Sequence, residues 1–217
     1  MLPLAAFFSI ILPLVFYLAF YKRNKGEGLS VILFYCILSI LTEGAFGFLT
    51  HWGIDKYYIF ASFTIIEFTI FSFFFYRFLK NKMKYAPIVG GILFYIIALG
   101  NMVIRKSDTF DSLPASVEAI LLIIYCILFL YEQIKDPSIM FVYYTKKFWF
   151  VTALLLYFSS TLFLFLYAAS FTKQERNNYW SINNIFEILK HLLFCVSLLL
   201  KKNITRYPPL ETLNTDM

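Results

Sequence analysis

Seven long apolar stretches alternate with short polar, charged connectors along the chain, at roughly 3–20, 29–50, 57–79, 86–104, 113–133, 148–170 and 179–200. The hydrocarbon core of a bilayer takes about 20 mainly apolar residues per helix, so each stretch predicts a membrane-spanning α-helix. The expected fold class is therefore all-α, a polytopic seven-transmembrane-helix bundle over residues 1–200 with a short tail at 201–217. The longest connector, around 134–147, holds Asp136-Pro137 and Lys146-Lys147 and leaves no room for a soluble domain. The tail, KKNITRYPPLETLNTDM, is too short and too polar to fold alone. The first stretch lacks a basic leader and a small-residue cleavage site, which reads as a retained helix rather than a signal peptide.

Composition turns that pattern into a statement about solvent. The chain is 60% hydrophobic and 15% charged, whereas a soluble domain carries roughly 45–50% apolar and about 25% charged residues. A soluble fold of this size could not cover so much apolar surface, so lipid is the expected surroundings. The 27 Phe and 16 Tyr need no cofactor box, because lipid-facing packing and interfacial belts absorb them. The net charge of +6 does not point to nucleic acid, because the cations fall between the apolar runs rather than on one face.

Their distribution sets an orientation. Alternate connectors hold 13 cations on one side of the bundle and 5 on the other, with Lys190 inside a span. Cytoplasmic connectors carry the Lys and Arg excess, which predicts an outside N-terminus and a cytoplasmic C-terminus in a bacterial inner membrane. Cys36, Cys126 and Cys195 all fall inside apolar runs with no C-x-x-C pair, so neither a disulfide framework nor a metal site is expected.

The chemistry lies inside the spans. An ionisable side chain at mid-membrane costs roughly 2.5–3.5 kcal/mol on insertion scales and normally faces the bundle interior with a partner. At 100° per residue, Trp180, Asn183, Asn184, Glu187, Lys190, His191 and Ser197 share one arc of the seventh span. The second span repeats the arrangement with Cys36, Ser39, Glu43, Gly47 and Thr50. The fifth carries Asp111, Glu118, Tyr125 and Glu132 at seven-residue intervals, the third places Glu67 near its midpoint beside Thr64, and the sixth adds Ser159 and Ser160. The expected result is an outward-opening polar cavity, a ligand or proton site built from Glu43, Glu67, Glu118, Asn183, Glu187, Lys190 and His191. Glu43 and Glu118 would lie in its outer half and the remaining ionisable groups near the middle. Protons, bound cations or a cationic ligand are expected to offset the repulsion among the four carboxylates. Lys190 is expected to be held by Glu187, Glu67, Glu43 or a ligand anion. Each acid can alternatively serve as interhelical glue, bonded to a Ser, Thr or Tyr of a neighbour; for Glu118 and Glu132 both readings stay open.

FDSLPASVEAILLIIYCILFLYEQ, FWFVTALLLYFSSTLFLF and YWSINNIFEILKHLLF resemble a group of uncharacterised bacterial seven-helix inner-membrane proteins, a resemblance that implies the architecture but no activity. A lysine in the seventh span is also the placing used by microbial rhodopsins, but their aspartate four residues earlier is Phe186 here, so no retinal or other cofactor is expected. Lysoplasmalogenase-type membrane hydrolases carry an acid where this chain has Thr161 after Ser160.

Three functions fit these features. The first is a receptor-like or sensory bundle that relays cavity occupancy to a separate cytoplasmic or membrane signalling partner. The second is a proton-coupled transporter or channel, for which buried acids are ordinary equipment. The third is an intramembrane lipid-processing hydrolase, which the chain furnishes with neither H-E-x-x-H nor G-x-S-x-G and with only His51 and His191. The receptor-like reading is preferred, because the chain also lacks an evident inverted repeat and a Gly/Pro-broken central helix. The orientation has its own test: a reporter fused after Arg206 should read cytoplasmic, and cysteines at Asp108 and Lys173 should be labelled from outside. A cytoplasmic N-terminus would reverse every depth given above.

Overall fold

Pro13 sets the shape of the first segment. A proline inside a helix has no N–H to donate and its ring crowds the carbonyl four residues back, here that of Ser9. The computed structural model describes residues 2–52, 56–104, 112–137, 141–168 and 170–201. In it the expected single span at 3–20 divides into α1 (Leu2–Ser9) and α2 (Ile11–Ala19), with a turn at Ile10 whose N–H reaches Phe7 O at 3.3 Å. A short α3 (Tyr21–Asn24) follows. The remaining helices are α4 (Ser30–His51), α5 (Lys56–Phe78), α6 (Ala86–Ile104), α7 (Ser112–Lys135), α8 (Lys146–Tyr167) and α9 (Lys173–Leu199). The described residues contain no strand.

Among the described residues six segments are long and apolar enough to cross a membrane: Leu2–Ala19, Tyr57–Phe78, Asn81–Ile104, Ser112–Lys135, Lys146–Tyr167 and Asn178–Leu199. α4 contributes a shorter apolar run among the described residues, Ser30–Phe46. The outer surface agrees with lipid as solvent. On α6 alone Ile88, Val89, Ile92, Leu93, Ile96, Leu99 and Val103 are exposed, a larger contiguous apolar patch than soluble monomers tolerate. The chain is a multi-pass membrane protein.

α9 packs along α8, α1 and α2; α8 packs on α7; and α5 joins α4, α6 and α7. α6 lies outside this ring against α5 and α7. It comes close because Gly90 has no side chain, and a Cβ there would collide with the Tyr125 hydroxyl. This is the small-residue contact by which membrane helices approach each other. Gly28, at φ +82°, turns the chain from α3 into α4 in the left-handed region, and its missing Cβ leaves room for the Phe78 ring.

At the end of the bundle that holds most cations, buried polar groups tie three segments together. Lys146 at the start of α8 donates to Arg23 O at 3.0 Å and Asn24 Oδ1 at 2.9 Å. Arg23 and Asn24 in turn donate to Leu198 O, at 2.8 and 3.4 Å. Leu198 O is one of the carbonyls that a helix C-terminus leaves without an intrahelical donor, and a cation there also meets the negative end of the helix dipole. Nearby, Glu132 accepts the Lys80 N–H with both carboxylate oxygens, at 3.1 and 2.9 Å, while Lys80 Nζ bonds Asp136 at 2.9 Å. Glu132 thus holds the turn after α5 to the end of α7, through a backbone N–H rather than the Ser, Thr or Tyr hydroxyl weighed above.

α9 begins six residues before the expected 179, because Thr172 and Glu175 form a capping box. Glu175 N–H donates to Thr172 Oγ1 at 3.3 Å, and the Glu175 carboxylate accepts from Thr172 N–H at 2.9 Å and from its hydroxyl at 2.8 Å. The Thr172 backbone bond, followed by that of its side chain, holds the Glu175 carboxyl below its ordinary value. A carboxylate with a depressed folded pKa stabilises above its unfolded pKa and loses that contribution as pH falls through the folded one. Glu175→Gln should therefore lower the thermal stability of the purified protein at neutral pH, and the difference from wild type should vanish in acid. A difference that is constant with pH would show that the charge of Glu175 has no part in the cap.

Candidate functional site

The arc of α9 that the sequence marks as polar faces inward: Asn183, Asn184, Lys190, His191 and Ser197 are all buried. Across from it α4 turns Tyr35 and Ser39 toward the interior, α5 brings Thr64 and Glu67, α7 Glu118 and α8 Tyr157. These helices, with Ile10 from the break between α1 and α2, enclose a cavity of about 180 Å³. Glu43, Glu67, Glu118, Asn183 and Glu187 line it, together with aromatic rings that include Phe63, Tyr157, Phe158 and Trp180. Glu43 is exposed at its rim, whereas Glu67 and Glu118 are only 6% and 3% exposed. Asp111, the surroundings of Gly47 and the side chain of Thr50 lie outside what is described.

Lys190 and His191 do not line the cavity. The Lys190 ammonium donates to the Tyr35 hydroxyl at 2.6 Å and sits 3.6 Å from the centre of the Tyr157 ring. The Tyr157 hydroxyl donates to Asn183 Oδ1 at 3.1 Å. The expectation that a carboxylate of Glu187, Glu67 or Glu43 holds Lys190 is therefore corrected: among the described residues the ammonium forms no ion pair. A phenol oxygen and a ring face replace part of its hydration. Glu67 and Glu187 still act on it through space.

His191 is fully buried, with Nδ1 at 2.7 Å from Ser9 Oγ. The single Ser9 hydroxyl proton goes to Ala6 O, 2.6 Å away, so the bond between Ser9 and His191 is N–H donation from Nδ1 to Oγ. The break at Ile10 leaves Ser9 at the end of α1, where it bridges α1 to α9. Nε2 has no hydrogen-bond partner among the described residues.

The sequence missed Tyr35, Tyr157 and Ser9. Tyr35 lies one turn before Ser39 on the stripe of α4, a signal the pattern carried, but a tyrosine in an apolar run reads as bulk. On α8 the sequence pointed to Ser159 and Ser160, yet Ser159 is exposed and Tyr157 and Thr161 face inward. Among the described residues no group of three or more His, Cys, Asp or Glu comes together in a way that would hold a metal ion. Comparison with family models, curated proteins and solved structures finds no match to this chain.

Beneath the cavity the interior is aromatic. Phe150 stacks on Phe194 at 5.3 Å and meets Phe74 at 4.6 Å, and Tyr35 lies 5.3 Å from Phe71. Tyr35 thus joins the polar site to the packed half of the bundle. Tyr35→Phe keeps the ring and removes the acceptor of Lys190. A hydrogen bond to a charged group contributes about 1.5–3 kcal/mol, so the variant should melt lower in detergent. The loss should be less than additive with Lys190→Met. Coupling of Lys190→Met to Glu67→Gln or Glu187→Gln that exceeds its coupling to Tyr35→Phe would restore a carboxylate as the main partner.

Proposed function

We propose that the chain is a receptor-like, seven-helix protein of the bacterial plasma membrane, with the N-terminus outside and the C-terminus in the cytoplasm. A small molecule enters the polar cavity, and α9 relays its occupancy to the cytoplasmic face and from there to a separate signalling partner. In this reading α4 is the seventh crossing. Its 22 residues span about 33 Å at ~1.5 Å per residue, and its Ser39, Thr42 and Glu43 line the cavity.

The observation that carries the reading is that one helix serves both places. α9 contributes Trp180, Asn183, Asn184 and Glu187 to the cavity wall, and its last turn is held by Arg23 and Asn24. Between them Lys190 bonds Tyr35, and His191 bonds Ser9. A shift of α9 at the cavity therefore loads bonds to α1, α4 and the basic end together. The aromatic packing below Tyr35 favours binding over permeation in this conformation. Buried ionisable groups in a membrane are the default mark of a functional site.

The test uses the protein in lipid nanodiscs. Ala115 lines the cavity, so Ala115→Leu should fill part of it as a ligand would. Amide exchange should then change both around Asn183–Glu187 and at the distant knot of Phe20–Lys25 and Leu198–Lys201. A change confined to the cavity wall would overturn the relay. Proton flux into proteoliposomes well above that of empty vesicles would replace it with transport.

A further inference from the structure

The charged groups of the cavity wall are all carboxylates: Glu43, Glu67, Glu118 and Glu187. The nearby cation is not offered to this space, because Lys190 is bound by Tyr35 and covered by Tyr157. A second observation concerns Glu67 itself. It is 6% exposed, lines the cavity, and its Oε1 is buried without a hydrogen-bond partner. A buried carboxylate oxygen left in that state is costly, and a donor brought in from outside would satisfy it.

We propose that the cavity binds a small primary ammonium, deepening the receptor-like reading of the same site, on which it rests. The ammonium donates an N–H to Glu67, in a wall whose remaining charges, Glu187 among them, are also negative. Its apolar part lies against Phe63, Tyr157 and Phe158. A carboxylate ligand would meet like charge in the wall, and a quaternary ammonium has no N–H for Glu67 Oε1. A bare divalent ion is disfavoured, because no group of three metal-ligating side chains comes together among the described residues. Size agrees as well: the cavity holds about 180 Å³, while an apolar cavity of ~150 Å³ admits benzene and a water's share of liquid volume is ~30 Å³. Aromatic walls add cation–π attraction to whatever positive charge the carboxylates bring in.

Benzylamine is the probe, compared with benzyl alcohol, benzoate and benzyltrimethylammonium at neutral pH. Zwitterionic-lipid nanodiscs keep cations from adsorbing to the membrane itself. Benzylamine should bind by calorimetry and raise the melting temperature, with each of the other three at least about tenfold weaker, as expected of a site built around a hydrogen bond the analogue cannot make. Glu67→Gln should weaken benzylamine by a similar factor, and Glu132→Gln, remote from the cavity, should not. If Glu67→Gln does not yield a monodisperse protein, Ala115→Leu replaces it and should likewise reduce binding by occupying the space. Equal binding of the alcohol or benzoate, undiminished binding in the cavity variants, or no binding of any probe would each overturn the proposal. Amide exchange at the knot separates this outcome from the relay. A Glu67-dependent benzylamine complex that leaves the knot unchanged keeps the ammonium site and removes the relay. A neutral or anionic probe that binds and changes the knot does the reverse.

Discussion

The ammonium of Lys190 lies buried in the bundle, and its needs determine what surrounds it. Two tyrosines from different helices meet it: Tyr35 of α4 as a hydrogen-bond acceptor and Tyr157 of α8 as a ring face. Neither brings a full negative charge, so each avoids the second desolvation that a buried carboxylate partner would add. Because α9 carries the lysine, this one group fixes α9 relative to α4 and α8. It also explains how four acids can line the adjoining space without one of them being consumed as a counter-ion.

The same logic accounts for both ends of the bundle. Lipid offers no hydrogen bonds, so polar groups and irregular backbone at membrane depth must be satisfied by protein. Pro13 opens the first span, and the turn is put to use: the hydroxyl that ends α1 donates a hydrogen bond to Ala6 O and pairs with His191 Nδ1. At the basic end, Leu198 O takes donors from Arg23 and Asn24, and Asn24 receives Lys146. α9 is therefore pinned at its middle and at its last turn, while its first turns are held by the exposed Thr172–Glu175 cap. The cavity lies between the strong pins and the weak one.

How much of this was legible depends on whether a residue's type reveals its partner. Glu43, Glu67, Glu118, Asn183 and Glu187 stood out because a polar group in an apolar helix can be placed by angle alone, and the structure brings these five to one cavity. Lys190 stood out for the same reason, but its partner did not. Tyr35 and Tyr157 are amphipathic, and in a chain with 16 tyrosines nothing local separates a phenol that solvates a cation from one that meets lipid headgroups. Charge complementarity suggested an acid, and that was misleading because the interior can solvate an ammonium with dipoles. Ser159 misled differently: a serine hydroxyl can return to its own helix backbone, so its polarity does not compel it inward. The cap at Thr172 was written in T-K-Q-E, and Pro13 was visible inside the first span. Both signals were local, and both were outweighed by the apolar run beside them.

Glu67 carries the argument furthest, because its position is paradoxical on stability grounds alone. A membrane helix can place an acid at its midpoint cheaply if a neighbour's hydroxyl reaches it, and Glu67 has Thr64 one turn away and tyrosines nearby. Yet Tyr35 accepts from Lys190, Tyr157 donates to Asn183, and Glu67 Oε1 is left bare. The acceptor side of Tyr35 goes to the lysine and the proton of Tyr157 to α9, and neither hydroxyl reaches this oxygen of the acid. Packing elsewhere must offset the cost, and the aromatic stack from Phe71 through Phe150 to Phe194 lies where it can do so, directly beneath. A rigid aromatic half thus supports a polar half in which one carboxylate oxygen stays unsatisfied.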